Sequence, residues 1–248
     1  MQFPTTHWSA LAIATSHGNE QARSALEELC RNYWGPVHAF IRSRGVSEAE
    51  AQDRTQEFMS HVVEKSLFVR ADRLRGRFRS FLLGALVRFL RDANQQRQAL
   101  KRGGHIPHMS LDAEVTESDL APHLTASDKV TEFDREWALT ILERALASIR
   151  SEYARDHREE QYSVLKAFLP TGADFPPYDQ AAARLGISVA AFKSEVHRLR
   201  VRLRELVRKE VAQTVSAPHE LASEMTHLQT VLMDKGSQFG PAAATFPD

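Results

Sequence analysis

The side chains through which this 248-residue chain could act on another molecule are cations and aromatic rings, not nucleophiles or paired acids. Between Ser188 and Lys209 stand Lys193, Arg198, Arg200, Arg202, Arg204, Arg208 and Lys209, opposed by Glu195 and Glu205. If that run is helical and enters a major groove, its first turns face base edges and the flanking cations meet phosphates. Lys193, Ser194, His197 and Arg198 are then the contact candidates, with Ala190 and Ala191 beside them, and Arg200 and Arg202 continue the row. The plainer alternative is a solvated basic face on an ordinary helical hairpin. A second block holds Arg75, Arg77, Phe78, Arg79, Phe81, Arg88, Arg97, Lys101 and Arg102. Rings among arginines suit single-stranded nucleic acid, because bases stack on the rings and guanidinium groups hold the backbone. Phe residues at helical spacing are equally what a helix buries in a core.

No phosphate-binding glycine loop, nucleophile elbow or paired-carboxylate arrangement stands out, so neither enzymatic chemistry nor a cofactor is expected. His105 and His108 form an H-x-x-H pair, but with no third ligand on a defined helix they do not make a metal site.

Helices must position these groups, and the expected fold class is all-α: two helical domains joined by an acidic linker, the second ending in a helix-turn-helix. Residues 1–20 form an N-terminal arm containing Trp8. A helix from about Gln21 to Tyr33 is interrupted by Gly35-Pro36 before a second one through Val37, Phe40 and Ile41. Ser47 and Glu50 make a capping box for a third, running to about Lys65, with Phe58, Met59 and Val62 on its buried side and Glu50, Asp53, Arg54 and Glu57 opposite. The arginine and aromatic block continues as a long helix and ends at Lys101-Arg102-Gly103-Gly104. Residues 105–130, with Pro107 and Pro122, read as the linker.

From Thr131 a helix through Phe133, Trp137 and Ile149 leads to another around Tyr162, Leu165 and Phe168. Asp179 to Leu185 then form the first helix of the helix-turn-helix, Gly186 supplies the backbone freedom of its end, and Ser188 caps the second. Phe192, Val196, Leu199, Leu203 and Leu206 recur at steps of four, three, four and three, which makes them the buried stripe. After Pro218 a last helix aligns Leu221, Met225, Leu228 and Leu232, to pack on its own domain or on another protein. Residues 236–248 show no such pattern and are expected to be disordered.

Thirty-two basic and 32 acidic residues cancel, but they are segregated along the chain. Residues 70–104 carry 10 basic and 2 acidic groups, 105–136 carry 2 and 8, and 184–209 carry 8 and 2. Two basic blocks thus flank an acidic middle, the balance a polyanion-binding protein can have at zero net charge. Cys30 is the single cysteine, which excludes an intrachain disulfide and suits a reducing cytoplasm. The start lacks the pattern of a signal peptide, and no apolar run approaches the ~18 residues of a membrane span.

Three motifs together resemble the extracytoplasmic-function group of bacterial RNA polymerase sigma factors. Asp53-Arg54-Thr55-Gln56-Glu57-Phe58 is similar to the group's D-x-x-Q-E-x-F segment, Phe78-Arg79-Ser80-Phe81-Leu82 to its F-R-x-W-L segment, and Tyr178 to Arg204 to its C-terminal helix-turn-helix. The resemblance covers about residues 21–104 and 132–211. It implies a first domain, 21–104, that binds the clamp helices of the largest subunit of core RNA polymerase through Asp53, Gln56, Glu57 and Phe58 and captures unpaired bases of the downstream promoter element. It implies a second, 131–211, that reads the upstream element as duplex. Promoter DNA and polymerase are the implied partners, with no membrane and a monomeric state.

Arg88 stands where the group usually has Asn, and Glu195 where a basic residue is common, so promoter preference does not carry over. The arm and the extension at 212–248 resemble extended members found with protein kinases and often without an anti-sigma factor. Thr55, between Asp53 and Glu57, is therefore a possible phosphorylation site, with a semi-buried helix residue as the alternative, and the last helix could mask DNA binding. A stand-alone helix-turn-helix repressor or activator and a helical interaction protein are the competing functions; neither needs a polymerase-docking helix.

Overall fold

The computed structural model describes residues 20–64, 77–101, 128–169, 175–215 and 217–233. Among these the fold is all-helical, without a strand. The helices are α1 (Glu20–Arg42), α2 (Glu48–Glu64), α3 (Phe78–Lys101), α4 (Asp128–Arg155), α5 (Glu159–Leu165) running into a 3₁₀ turn (Lys166–Phe168), α6 (Tyr178–Arg184), α7 (Val189–Thr214) and α8 (Glu220–Met233). Two compact units divide the chain: residues 1–136 with 214–216, and residues 137–213 with 217–248. The division falls within α4, so Phe133, Asp134 and Glu136 belong with the first unit, although they lie downstream of the 105–130 stretch where composition put the boundary.

In the first unit α1 is one helix, not two, and it passes through Pro36. Proline in a helix interior removes a backbone hydrogen bond and costs about 3 kcal/mol. Tyr33, Val37, Phe40 and Ile41, all buried, continue one stripe across the break, and each stabilises by about 1.5–3 kcal/mol when fully buried. Burial therefore outweighs the proline. Gly35 has a separate role: a Cβ there would lie 3.2 Å from the Glu136 carboxylate of α4. Tyr33 meets Phe78 edge-on at 5.0 Å, Phe58 meets Phe89 at 5.5 Å, and Phe40 meets Phe133 at 6.5 Å, so α1, α2, α3 and the start of α4 share one core.

Across the turn into α2, Gly45 has φ +82°, and His38 and Arg42 both reach Glu48, at 3.1 and 3.0 Å. Ser47 accepts the Glu50 amide at 3.2 Å, as the capping box requires, while the Glu50 carboxylate accepts from Arg54 at 2.6 Å.

The second unit is built on Phe168. Its ring touches Tyr178 at 4.7 Å, Phe192 at 4.9 Å and Phe175 at 6.1 Å, which ties α6 and α7 to the 3₁₀ turn. Trp137, Ile141, Leu142 and Ile149 bring in α4. The α4–α5 corner puts His157 at φ +54°, with the Arg158 amide bonded to the Tyr153 carbonyl at 2.9 Å. The last helix, α8, is an integral part of this unit: Leu221, Leu228, Val231 and Leu232 are buried, and His227 lies 6.2 Å from the Trp137 ring. Met225, expected in that stripe, is only half-buried, and Glu224 is buried instead. No helix among the described residues is long and apolar enough to cross a membrane.

Candidate nucleic-acid interface

The turn between α6 and α7 is what orients the basic helix. Gly186 has φ +65°, a conformation that costs an L side chain about 1–2 kcal/mol. There the Ile187 amide donates to the Ala182 carbonyl at 3.2 Å and the Gly186 amide to Ala183 at 3.1 Å, closing the last turn of α6. Two residues later the Ser188 hydroxyl accepts the Ala191 amide at 3.2 Å and starts α7. Both the stop and the start were legible as Gly and Ser.

Along α7 the expected stripe is buried: Phe192, Val196, Leu199, Leu203 and Leu206 face the unit's core, with Val207 and Val211 beyond. Ala190, Ala191, Lys193, Ser194, His197 and Arg198 are all exposed with α8 in place, so α8 does not mask them. Lys193 Nζ lies 5.8 Å above the Tyr178 ring, and the Ser194 hydroxyl donates to the Ala190 carbonyl at 3.1 Å. Arg198 Nη2 donates to Glu195 at 2.5 Å, and Arg158 approaches the same carboxylate at 3.6 Å while its guanidinium stacks 5.0 Å over Tyr153.

Arg200 and Arg202 differ from that group. Arg200 Nε and Nη2 both donate to the Phe168 carbonyl, at 3.1 and 2.8 Å, and its guanidinium covers the Phe175 ring at 5.2 Å. Arg202 Nε and Nη2 donate to the two oxygens of Glu152 on α4, at 3.0 and 2.6 Å, and Nη1 donates to Glu205 at 2.8 Å. The hydrogen bond from Arg202 holds the Glu152 carboxyl below its ordinary pKa, and Glu152 and Glu205 raise that of Arg202. An open groove of about 340 Å³ between α4 and α7 is lined by Tyr153, Asp156, Arg158, Glu195, Arg198 and Arg202. Burial pushes the Tyr153 phenol up. Composition and spacing missed the roles of Glu152 and of the Phe168 carbonyl. They lie 50 and 32 residues from the arginines they hold, and no local pattern marks them.

In the first unit the described residues of the basic block divide between core and surface. Phe78 is fully buried and Phe81 half-exposed, 6.3 Å apart, so the core alternative holds for the first ring. Arg79, expected at nucleic acid, is buried and pairs with Asp134 at 2.7 Å. Arg77 and Arg88 are half-exposed. Arg75 and Arg102, like His105, His108 and Trp8, lie outside the described residues, as do the side chains of Arg97 and Lys101.

On α2, Asp53, Gln56 and Glu57 are exposed, whereas Phe58 is buried against Phe89. Thr55 is fully buried, and its hydroxyl donates to the Ala51 carbonyl at 2.7 Å. A helix advances 100° per residue, so Thr55 points about 200° from both Asp53 and Glu57. Thr55, weighed as a possible phosphorylation site against a semi-buried helix residue, is thus more deeply buried than either reading had it.

Among the described residues no group of three His, Cys, Asp or Glu side chains could hold a metal ion. No family model matches the chain, and no curated protein or solved structure matches it.

Proposed function

We propose that the chain is a bacterial sigma factor, which binds core RNA polymerase, directs it to specific promoters and helps open promoter DNA. The observation that carries this is the exposed row Lys193, Ser194, His197 and Arg198 on the first turns of α7, entered through the tight turn at Gly186. As a helix-turn-helix, α6 and α7 would bring that row to base edges in a major groove, with Lys193 and Arg198 able to meet phosphates. The exposed carboxylates of Asp53 and Glu57, with Gln56 between them in sequence, are the motif residues that would dock on the polymerase clamp, and Phe58 supports their helix from inside. Unpaired bases would meet the first unit near Arg77, Phe81 and Arg88, the block's half-exposed described residues. RNA synthesis itself stays with the polymerase, and the protein works without a cofactor.

The test is in vitro transcription with bacterial core polymerase on fragmented genomic DNA from the source organism, with this protein as the only specificity factor. Discrete new start sites are expected, and a folded Asp53→Ala, Glu57→Ala variant should lose them. Sequence-specific duplex binding by the protein alone, without start sites, would establish a stand-alone repressor or activator instead.

A further inference from the structure

We propose that Arg202 is a positioning residue: with Glu152 and Glu205 it clamps α7 to α4, and it is withheld from the phosphates that its exposed neighbours would contact. The inference rests on the duplex-binding reading of α7. By sequence Arg202 belongs to the same row as Ser194 and Arg198, one turn further along, so charge alone would count it as a DNA contact. All three of its guanidinium nitrogens are engaged, two of them by the paired oxygens of one carboxylate 50 residues away. Exchanging that bidentate pair for a phosphate would replace one charge-assisted contact by another and leave Glu152 facing the polyanion. Arg198 is different. Its side chain is 67% exposed against 45% for Arg202, and when it turns outward the Glu195 carboxylate still has Arg158 beside it.

The clamp also has a partner. Arg200 is fixed to the Phe168 carbonyl, and two residues apart on a helix means about 200° around its axis. Contacts on nearly opposite sides resist rotation of α7 in either direction, and that rotation would turn the Lys193 to Arg198 row away from a groove.

The test uses the full chain and a fluorescein-labelled, mixed-sequence duplex of about 30 base pairs, the length of roughly three helical turns, titrated across KCl concentrations, together with urea unfolding of the same variants. Arg198→Ala should flatten the slope of log affinity against log salt by about 0.9, the loss of one phosphate contact. Arg202→Ala should keep the slope and weaken binding by one common factor at every salt concentration. In unfolding, Glu152→Ala should raise the unfolding equilibrium constant about two- to fivefold, Arg202→Ala at least as much because it also loses Glu205, and the double variant no more than Arg202→Ala. A slope lost in Arg202→Ala as in Arg198→Ala, or single effects that add in the double variant, would overturn the clamp. If the wild type binds no duplex at any salt concentration, the duplex-binding reading fails, and the clamp stands or falls on the unfolding cycle.

Discussion

Replacing Asp134 by alanine should take from the buried Arg79 guanidinium the carboxylate that neutralises it. Arg79 Nη1 lies 2.7 Å from Asp134 Oδ1, and the two residues are 7% and 5% exposed. Removing one member of a buried pair costs about 3–5 kcal/mol, because the remaining charge has lost its counter-ion without regaining water. Replacing both members by apolar residues of similar volume is neutral or stabilises by about 1–4 kcal/mol. We therefore expect Asp134→Ala to lose about 3–5 kcal/mol and an Arg79→Met, Asp134→Leu variant to recover most of it. Against a typical total of about 5–15 kcal/mol, the single variant gives up a large fraction of the unit's stability.

Urea-dependent hydrogen exchange of the α3 amides is the suitable assay, since it reports on the first unit without the second. A loss below about 1 kcal/mol, the scale of an exposed ion pair, would refute mutual neutralisation, as would a double variant no more stable than the single one. The outcome also bears on nucleic-acid contact. An Arg79 that holds Asp134 at this energy cannot serve a DNA backbone without undoing the junction of α3 with the start of α4.

Thr55→Val should remain folded with a loss of about 0.5–1.5 kcal/mol for the missing bond to Ala51, whereas Thr55→Glu forces a charge into the core and should cost about 3 kcal/mol or more; circular dichroism through a thermal melt distinguishes them. A Thr55→Glu protein as stable as wild type would show that the residue can leave the core. Leu228→Ala should destabilise the second unit by about 2–5 kcal/mol in urea, because α8 is part of that core, and an unchanged midpoint would make α8 dispensable. Glu152 has a folded-state pKa below the ordinary 4.5, with the Arg202 hydrogen bond as the leading cause. Its contribution is thus present above pH 4.5 and lost as the pH falls through the folded value. Urea midpoints measured down the acid limb should fall less steeply for Glu152→Gln than for wild type.

Where the chemistry of a helix end is local, the amino-acid order was sufficient. Gly186 sits at positive φ where a helix was expected to stop, Ser47 and Ser188 accept the amides their positions imply, and the apolar stripe of α7 is buried residue for residue. The same local logic misjudged Pro36, because the proline penalty is a property of one residue and the burial that offsets it belongs to the whole of α1. It also grouped Thr55 with Asp53 and Glu57, although two-residue spacing sends it to the opposite face.

By itself, then, the sequence determined the all-helical fold, the turn at Gly186 and the exposed row from Lys193 to Arg198, since each follows from residue preferences or from a 3.6-residue period. Tertiary structure alone decided which arginines are spoken for. Arg79, Arg200 and Arg202 look like Arg198 in the chain, but Asp134, the Phe168 carbonyl and Glu152 come to them across 55, 32 and 50 residues. A guanidinium carries the same charge wherever it stands, and its role depends on which acceptor the fold brings within about 3 Å of it.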